Sequence, residues 1–200
     1  MTVTAEQPAT RERITIAAAE LFRRQGYAAT GMKQIAAAAD APFGSIYHFF
    51  PGGKEQLGAE VLETGGAFFL ALYRAITAQH DDPRAGVRAF FDGAGATVEA
   101  TGFADACPIA TVAGEVASTN EPLRIAAANA FGSWLTALAA DLEEAGVKAD
   151  EAPALAQAIL ALLEGAFLLC RTLRTTAPMD AARDAADILL RAALSPLGTA

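Results

Sequence analysis

The fold of this chain is decided by the stretch Ile35-Ala36-Ala37-Ala38-Ala39-Asp40-Ala41-Pro42-Phe43-Gly44-Ser45-Ile46-Tyr47-His48-Phe49-Phe50. The alanines allow two helices to touch, Asp40 tolerates the positive φ of a corner, and Pro42 suits the first turn of a second helix. The stretch therefore predicts a helix-turn-helix. Its small core is predicted to consist of Ile35, Ile46 and Phe50. An αα-hairpin within a larger helical bundle has the same local pattern and remains an alternative.

Motifs before and within this stretch occur in one order with tight spacing. They are Thr10-Arg11-Glu12-Arg13-Ile14, Ala18-x-x-Leu21-Phe22, Gly26-Tyr27-x-x-Thr30 and Gly44-Ser45-Ile46-Tyr47-His48-x-Phe50. With them, residues 9–60 resemble the N-terminal DNA-binding domain of the TetR family of bacterial transcriptional regulators. The segment Pro51-Gly52-Gly53-Lys54-Glu55-Gln56-Leu57 is similar to the subgroup of LmrA- and YxaF-type repressors.

The composition predicts an all-α protein of about nine helices, because alanine and leucine are abundant and Pro or Gly stand mostly between periodic stretches. We expect disordered tails at residues 1–8 and 196–200, a helix-turn-helix domain at 9–52, and a helical effector-binding and dimerisation domain at 53–195. The most apolar window, residues 154–170, is short for a membrane span and contains two polar side chains, which favours a buried helix and no membrane. No cleavable signal peptide is recognised, so a cytoplasmic location is expected.

The formal net charge of −8 is unevenly distributed. Residues 1–60 contain six basic and six acidic side chains, so the whole excess of acid belongs to residues 61–200. The DNA-binding part is therefore neutral, and we expect its non-specific affinity for DNA to be modest and sensitive to salt.

DNA contacts are expected along the exposed start of the second helix of the motif, where base edges come within reach. The resemblance implies that Tyr47, His48, Thr30 and Lys54 grip phosphates, for which hydroxyl, imidazole and ammonium groups are suited. The full set expected to contact DNA is Thr30, Lys33, Pro42, Phe43, Gly44, Ser45, Tyr47, His48 and Lys54. Tyr47 as a core aromatic and His48 as an uninvolved surface residue are the structural alternatives.

The region beyond residue 61 resembles the part of the family that binds an effector and dimerises. An apolar ligand pocket is expected among Phe68, Tyr73, Phe90, Phe103, Cys107, Trp134, Glu164 and Phe167, although aromatic residues at helical spacing also form ordinary cores. Glu164 lies between apolar residues, so we expect it either to hold a polar or cationic group of a ligand or to pair with Arg171 or another arginine.

The last two helices have wide apolar stripes with small residues that permit close approach. In the family these helices form a four-helix bundle across a two-fold axis. We therefore expect a homodimer on a palindromic double-stranded operator. The interface is expected at Leu155, Ile159, Leu162, Ala166, Ala182, Ala186, Leu189 and Leu190.

Together these features predict a ligand-responsive transcriptional regulator, most simply a repressor released by a small, largely apolar effector. Two other classes are weighed: a DNA-binding architectural protein without a ligand, and a helical enzyme that uses the C-terminal pocket. The enzyme is disfavoured because the sequence shows neither a nucleophile–base pair nor a glycine-rich phosphate loop. Cys107 and Cys170 lack metal-ligand spacing and are interpreted as buried thiols, so no metal and no cofactor are expected.

Overall fold

The computed structural model describes residues 9–194, which fold into nine α-helices without a strand. The helices are α1 (Thr10–Gln25), α2 (Met32–Ala38), α3 (Phe43–Phe49), α4 (Gly53–Thr77), α5 (Pro83–Ala100), α6 (Pro108–Val116), α7 (Glu121–Glu144), α8 (Ala152–Leu173) and α9 (Ala177–Leu194). The all-α class predicted from the sequence is confirmed. The expected tails, residues 1–8 and 196–200, lie outside the described residues.

Two hydrophobic cores organise these helices. The first is formed by α1–α3, the first half of α4, α6 and the start of α7, and it contains the predicted trio Ile35, Ile46 and Phe50, each fully buried. The second is formed by α5, the end of α7, α8 and α9. Helices α4 and α7 take part in the packing around both cores. Hydrophobic packing therefore continues across residue 52, which the sequence analysis gave as the end of the helix-turn-helix domain.

The crossing of α4 and α7 is unusually close at Gly66. A Cβ atom on Gly66 would lie 2.7 Å from the Cβ of Ala130, so only a glycine fits there. The indole Nε1 of Trp134, one turn further along α7, donates a hydrogen bond of 2.8 Å to the Gly66 carbonyl. Gly66, which is costly in the middle of a helix on propensity alone, is thus explained by this contact, whereas nothing in the structure requires the neighbouring Gly65.

Helix α9 is fixed to α5 by a buried ion pair. The carboxylate of Asp187 is buried and accepts hydrogen bonds from Nε and Nη2 of Arg84, at 2.9 and 2.8 Å. Arg191 donates to its other oxygen at 2.5 Å. Since a buried carboxylate without partners is costly, these arginines make the position of α9 specific.

Within residues 9–194, α8 alone has the length and apolar composition of a membrane-spanning helix. It packs between α7 and α9, as a core helix does. Only 28% of its most apolar window is buried, however, so the expectation of a buried helix is correct for one face. The other face is apolar and exposed, which matters for assembly.

The glycine contact yields the first prediction. Gly66→Ala should lower the free energy of unfolding by about 1–3 kcal/mol, because α4 and α7 must move apart to admit the new methyl group. Gly65→Ala is the matched control, since its Cβ would lie 3.6 Å from Cδ1 of Ile109, an ordinary contact, and alanine favours the helix by up to about 1 kcal/mol. Urea unfolding followed by circular dichroism measures both; equal stability of the two variants would contradict the steric argument.

Candidate DNA-binding surface and effector cavity

The corner of the helix-turn-helix is formed by Asp40, whose φ of 47° lies in the left-handed region, as the sequence predicted. Arg13, on α1, stabilises this corner, because its guanidinium donates hydrogen bonds to the carbonyl oxygens of Ala39 and Asp40, at 3.1 and 3.2 Å. This role of Arg13 was missed by sequence reasoning, because the contact joins residues far apart in the chain. Pro42 was expected in the first turn of the second helix and lies one position earlier, as the N-cap of α3.

The outer face of α3 is open and aromatic. Phe43 and Tyr47 are 42% and 48% exposed, and their rings meet edge to face with centroids 5.5 Å apart. His48 is exposed beside them, and a Cβ on Gly44 would meet no atom within 4 Å. Pro42 and Lys33 are also exposed, and Ser45 is half-buried. These residues form one accessible surface, which we call the reader face: Lys33, Pro42, Phe43, Gly44, Ser45, Tyr47 and His48.

Thr30 lies in the turn between α1 and α2 and differs from the reader face in its burial. Its side chain is buried, and its hydroxyl donates to the Gly26 carbonyl at 2.7 Å while Gln25 donates to it at 3.1 Å. A hydroxyl enclosed in this way has no free path to a phosphate. The Thr30 hydroxyl therefore stabilises the turn between α1 and α2, and a contact of Thr30 with DNA stays a prediction.

Lys54 is half-buried at the start of α4, against the turn between α1 and α2. Its ammonium lies 4.3 Å from the centre of the Tyr27 ring and 3.4 Å from the Ala28 carbonyl oxygen. Partial burial lowers its pKa from the usual lysine value, while the nearby Glu115 carboxylate opposes that shift. The ring contact restrains the ammonium at the edge of the reader face.

A cavity of about 460 Å³ lies between the two hydrophobic cores. It is enclosed by α4, α5, α7 and α8, with the start of α6 at one end, and its walls are mainly apolar. Seven of the eight residues expected at an effector pocket line it, namely Phe68, Tyr73, Phe90, Cys107, Trp134, Glu164 and Phe167. A cavity of this size and lining suits a small, largely apolar molecule.

Phe103 is the exception and corrects the expectation. It lies in the turn after α5 with a φ of 63°, and its side chain packs against the second core instead of the cavity. The left-handed backbone at Phe103 follows Gly102, which also has a positive φ.

Glu164 is the one acidic group of α8 that faces the cavity. Neither of its carboxylate oxygens has a hydrogen-bond partner among the described residues, and both are buried. Burial raises the pKa of Glu164 to about 7, an effect that a contact with the Cys107 thiol partly offsets. The expected alternative, a pair with Arg171, is not formed, because Nη2 of Arg171 donates to the Arg24 carbonyl at 2.9 Å.

An ion pair between Arg23 and Asp105 also lines the cavity. Arg23 comes from the last turn of α1, and Asp105 from the segment before α6. Asp105 is buried, and its Oδ1 has no hydrogen-bond partner in the described chain. Burial lowers the pKa of the Arg23 guanidinium. Sequence reasoning missed this pair, whose members are 82 positions apart.

The helices α8 and α9 share an exposed apolar face, which includes only some of the residues expected, among them Leu162 and Leu189. Five of the expected interface residues are buried within the chain's own second core, namely Ile159, Ala166, Ala182, Ala186 and Leu190. Leu155 and Leu162 are half-buried, and Leu189 is 39% exposed. A shallow groove between the helices is formed by Ala158, Ala161, Leu162, Ala185, Ile188 and Leu189. We call this surface, with the exposed Leu169 and Leu173 of α8, the α8–α9 face.

Residues 9–194 contain no group of three or more His, Cys, Asp or Glu side chains arranged to hold a metal ion. Both cysteines, Cys107 and Cys170, are buried free thiols. Burial raises the pKa of Cys107 well above the usual thiol value, so its neutral form is strongly favoured.

The environment of Glu164 predicts how stability depends on pH. Below pH 4.5 this carboxyl is protonated in the folded and unfolded chains alike; between pH 4.5 and 7 only the unfolded chain loses its proton, so the free energy of unfolding falls. The variant Glu164→Gln has no ionisable group at this position and does not lose this stability. At pH 8 its free energy of unfolding should exceed that of the natural protein by up to about 3 kcal/mol, whereas at pH 4.5 it should not. Thermal and urea unfolding at fixed protein concentration measure the difference. Glu143→Gln, at an exposed position, is the control, and an equal pH dependence in both variants would contradict the assignment.

Comparison with known proteins agrees with this architecture. Residues 14–61 match the family described as bacterial regulatory proteins of the tetR family, and residues 83–185 match the LmrA/YxaF-like transcriptional regulator C-terminal domain. The chain is 33% identical to the Bacillus subtilis HTH-type transcriptional regulator YxaF over 90% of this chain and 95% of that protein, and 32% identical to the regulator LmrA of the same organism over 84% and 90%. The crystal structure of a TetR regulator from Legionella pneumophila has a TM-score of 0.82 at 26% identity and covers 92% of this chain and 98% of its own. The chain therefore belongs to the TetR family of DNA-binding transcriptional regulators, with an LmrA/YxaF-like C-terminal domain.

Proposed function

We propose that this regulator is a homodimeric repressor that acts in the cytoplasm, binds a palindromic operator, and is released from it by a small, largely apolar effector. The observation that carries the proposal is the apolar cavity, one wall of which includes Arg23 from the DNA-binding part of the chain. An architectural DNA-binding protein would need no such cavity. Regulators of this family are typically not enzymes, and we propose no enzymatic activity for this chain.

The reader face supports binding in the major groove. Gly44 has no side chain, and a Cβ there would meet no atom within 4 Å, so the backbone of α3 can approach base edges closely at this position. Phe43 offers an apolar edge to a thymine methyl group, and Ser45 offers a hydroxyl. On either side, Tyr47, His48, Lys33 and Lys54 are the groups we propose for phosphate oxygens.

Family members act as dimers, and the α8–α9 face is the surface we propose for that contact. Ile188 and Leu169 are 64% and 49% exposed there, alongside small alanines that permit close helix approach. A contiguous apolar surface of this kind is unfavourable in water on a monomer. Pairing it across a two-fold axis would bury it and set the spacing of two reader faces on one operator.

Polar contacts provide a route from the cavity to the reader face. Glu115, on α6, accepts hydrogen bonds from the backbone N–H groups of Tyr27 and Ala28, at 3.0 and 2.7 Å. The Arg23–Asp105 pair joins α1 to the segment that leads into α6. An effector that prefers a shifted position of this segment would therefore also favour a shifted α1, and the spacing of the two reader faces would no longer fit the operator.

Nuclease protection of the DNA upstream of the chain's own gene and its neighbours tests operator binding. We expect protection of a palindrome, and its loss in Gly44→Leu, because the added side chain fills the gap through which α3 approaches the bases. Gly114→Leu is the matched control: Gly114 is also an exposed helical glycine with open space around its Cβ, but it lies on α6. Operator affinity that survives Gly44→Leu in a folded protein would refute the assignment of the reader face.

Sedimentation tests the dimer surface. Leu189→Arg places a charge in the centre of the α8–α9 face and should convert a dimer at micromolar concentration into a folded monomer with weakened operator binding. Ile125→Arg on α7 is the control, because Ile125 is similarly exposed, at 44%, but lies outside this face. A natural protein that sediments as a monomer, or a Leu189→Arg variant that remains dimeric, would overturn the proposal.

A further inference from the structure

We propose that the effector is an amphipathic cation, with an apolar body that fills the cavity and one positively charged nitrogen that is received by the carboxylate of Glu164. This inference rests on the proposed function only in placing the effector in the cavity. It adds the chemical class of the ligand and the residue that recognises its charge.

The cavity contains unused hydrogen-bond acceptors. Both oxygens of Glu164 and Oδ1 of Asp105 are buried without a partner. Most donors around them are already engaged: the Trp134 indole donates to the Gly66 carbonyl, the Thr97 hydroxyl to the Gly93 carbonyl at 2.9 Å, and Arg23 to Asp105. The Cys107 thiol, which contacts Glu164, is only a weak donor. The complement of such a site is a ligand that brings donors or positive charge.

The surroundings of Glu164 favour charge over a neutral polar group. Leu160, Leu163 and Phe167 line the cavity beside it, so the carboxylate is removed from water, and the weakly donating Cys107 thiol compensates for this only in part. A single neutral hydroxyl satisfies one oxygen and leaves the charge, whereas a cation satisfies the charge itself. An anionic ligand would meet Glu164 and Asp105, with Arg23 already paired.

Aromatic rings supply the rest of the binding site. Tyr73 and Phe90 meet edge to face with ring centroids 5.5 Å apart, and Trp134 meets Phe69 at 6.0 Å. All four line the cavity. Ring faces accept flat apolar groups and also attract a positively charged nitrogen, so they suit both parts of an amphipathic cation.

The proposed contact has a pH signature. Burial raises the pKa of Glu164 to about 7, and a cation pairs only with the ionised carboxylate, so binding should release a proton and strengthen as pH rises from 6 to 8. The other titratable groups lining the cavity are Cys107, Tyr73, Asp105 and Arg23. Burial raises the pKa of the Cys107 thiol and of the Tyr73 phenol, so neither ionises in this range. Asp105 and Arg23 are paired with each other.

Three probes that share one apolar body test the proposal. They are 2-(1-naphthyl)ethylamine, 2-(1-naphthyl)ethanol and 1-naphthylacetate, which are cationic, neutral and anionic. In calorimetric titration of the whole protein at pH 8, the amine should bind at least about tenfold more tightly than the alcohol, and the anion most weakly. At pH 6 the advantage of the amine over the alcohol should shrink by about tenfold, since most of the Glu164 carboxyl is then protonated.

Glu164→Gln should bind the amine and the alcohol equally at both pH values, while Glu143→Gln, which removes the same charge from an exposed site on α7, should retain the preference. The proposal is overturned if the natural protein does not bind the amine at millimolar concentration, if it binds the alcohol or the anion as tightly as the amine, or if Glu164→Gln keeps the preference.

Fluorescence anisotropy of the labelled, protected operator measures whether the amine releases DNA, which is a separate question from the class of ligand that binds. Amine binding with the expected preference but without release of DNA supports the ligand class and contradicts ligand-controlled release.

Discussion

The close crossing of α4 and α7 at Gly66 and Ala130 sets the geometry on which both halves of the molecule depend. Because α4 begins directly after the helix-turn-helix and ends beside the cavity, its distance from α7 fixes the positions of both. The indole of Trp134 bridges the two helices with one atom and forms part of the cavity wall with its rings. A single contact thus determines backbone spacing and binding-site shape together.

Local patterns in the sequence were sufficient for the helix-turn-helix. The corner at Asp40 and the buried trio Ile35, Ile46 and Phe50 follow from residues within one short stretch, where backbone preference and helical periodicity decide the outcome. Thr30 shows the limit of that reasoning. A hydroxyl before a helix suits a phosphate or a backbone carbonyl equally well, and the path of the preceding turn, not the residue type, brought it to Gly26.

Contacts between distant segments could not be predicted in the same way. Arg23 and Asp105 are ordinary charged residues in the sequence, and their pairing depends on how α6 meets α1. The exposed face of α8 was hard to identify for a different reason: Ile159 and Leu162 are both apolar, so a helix that is apolar on most sides gives no signal of its rotation. Glu164 was easier to identify from the sequence, because a carboxylate among leucines differs from its neighbours whatever the fold.

The contact between Glu115 and the turn after α1 has a consequence for how such a regulator can diverge. Its acceptors bind backbone N–H groups of Tyr27 and Ala28, so the link does not depend on which side chains occupy those positions. Besides Glu115 itself, the link favours glycine at position 26, because a Cβ there would collide with the Glu115 carboxylate and the φ of Gly26 is 89°. Residues that read DNA and residues that select an effector can therefore change separately, while the contact between them persists through the Glu115 carboxylate, two main-chain N–H groups and one glycine.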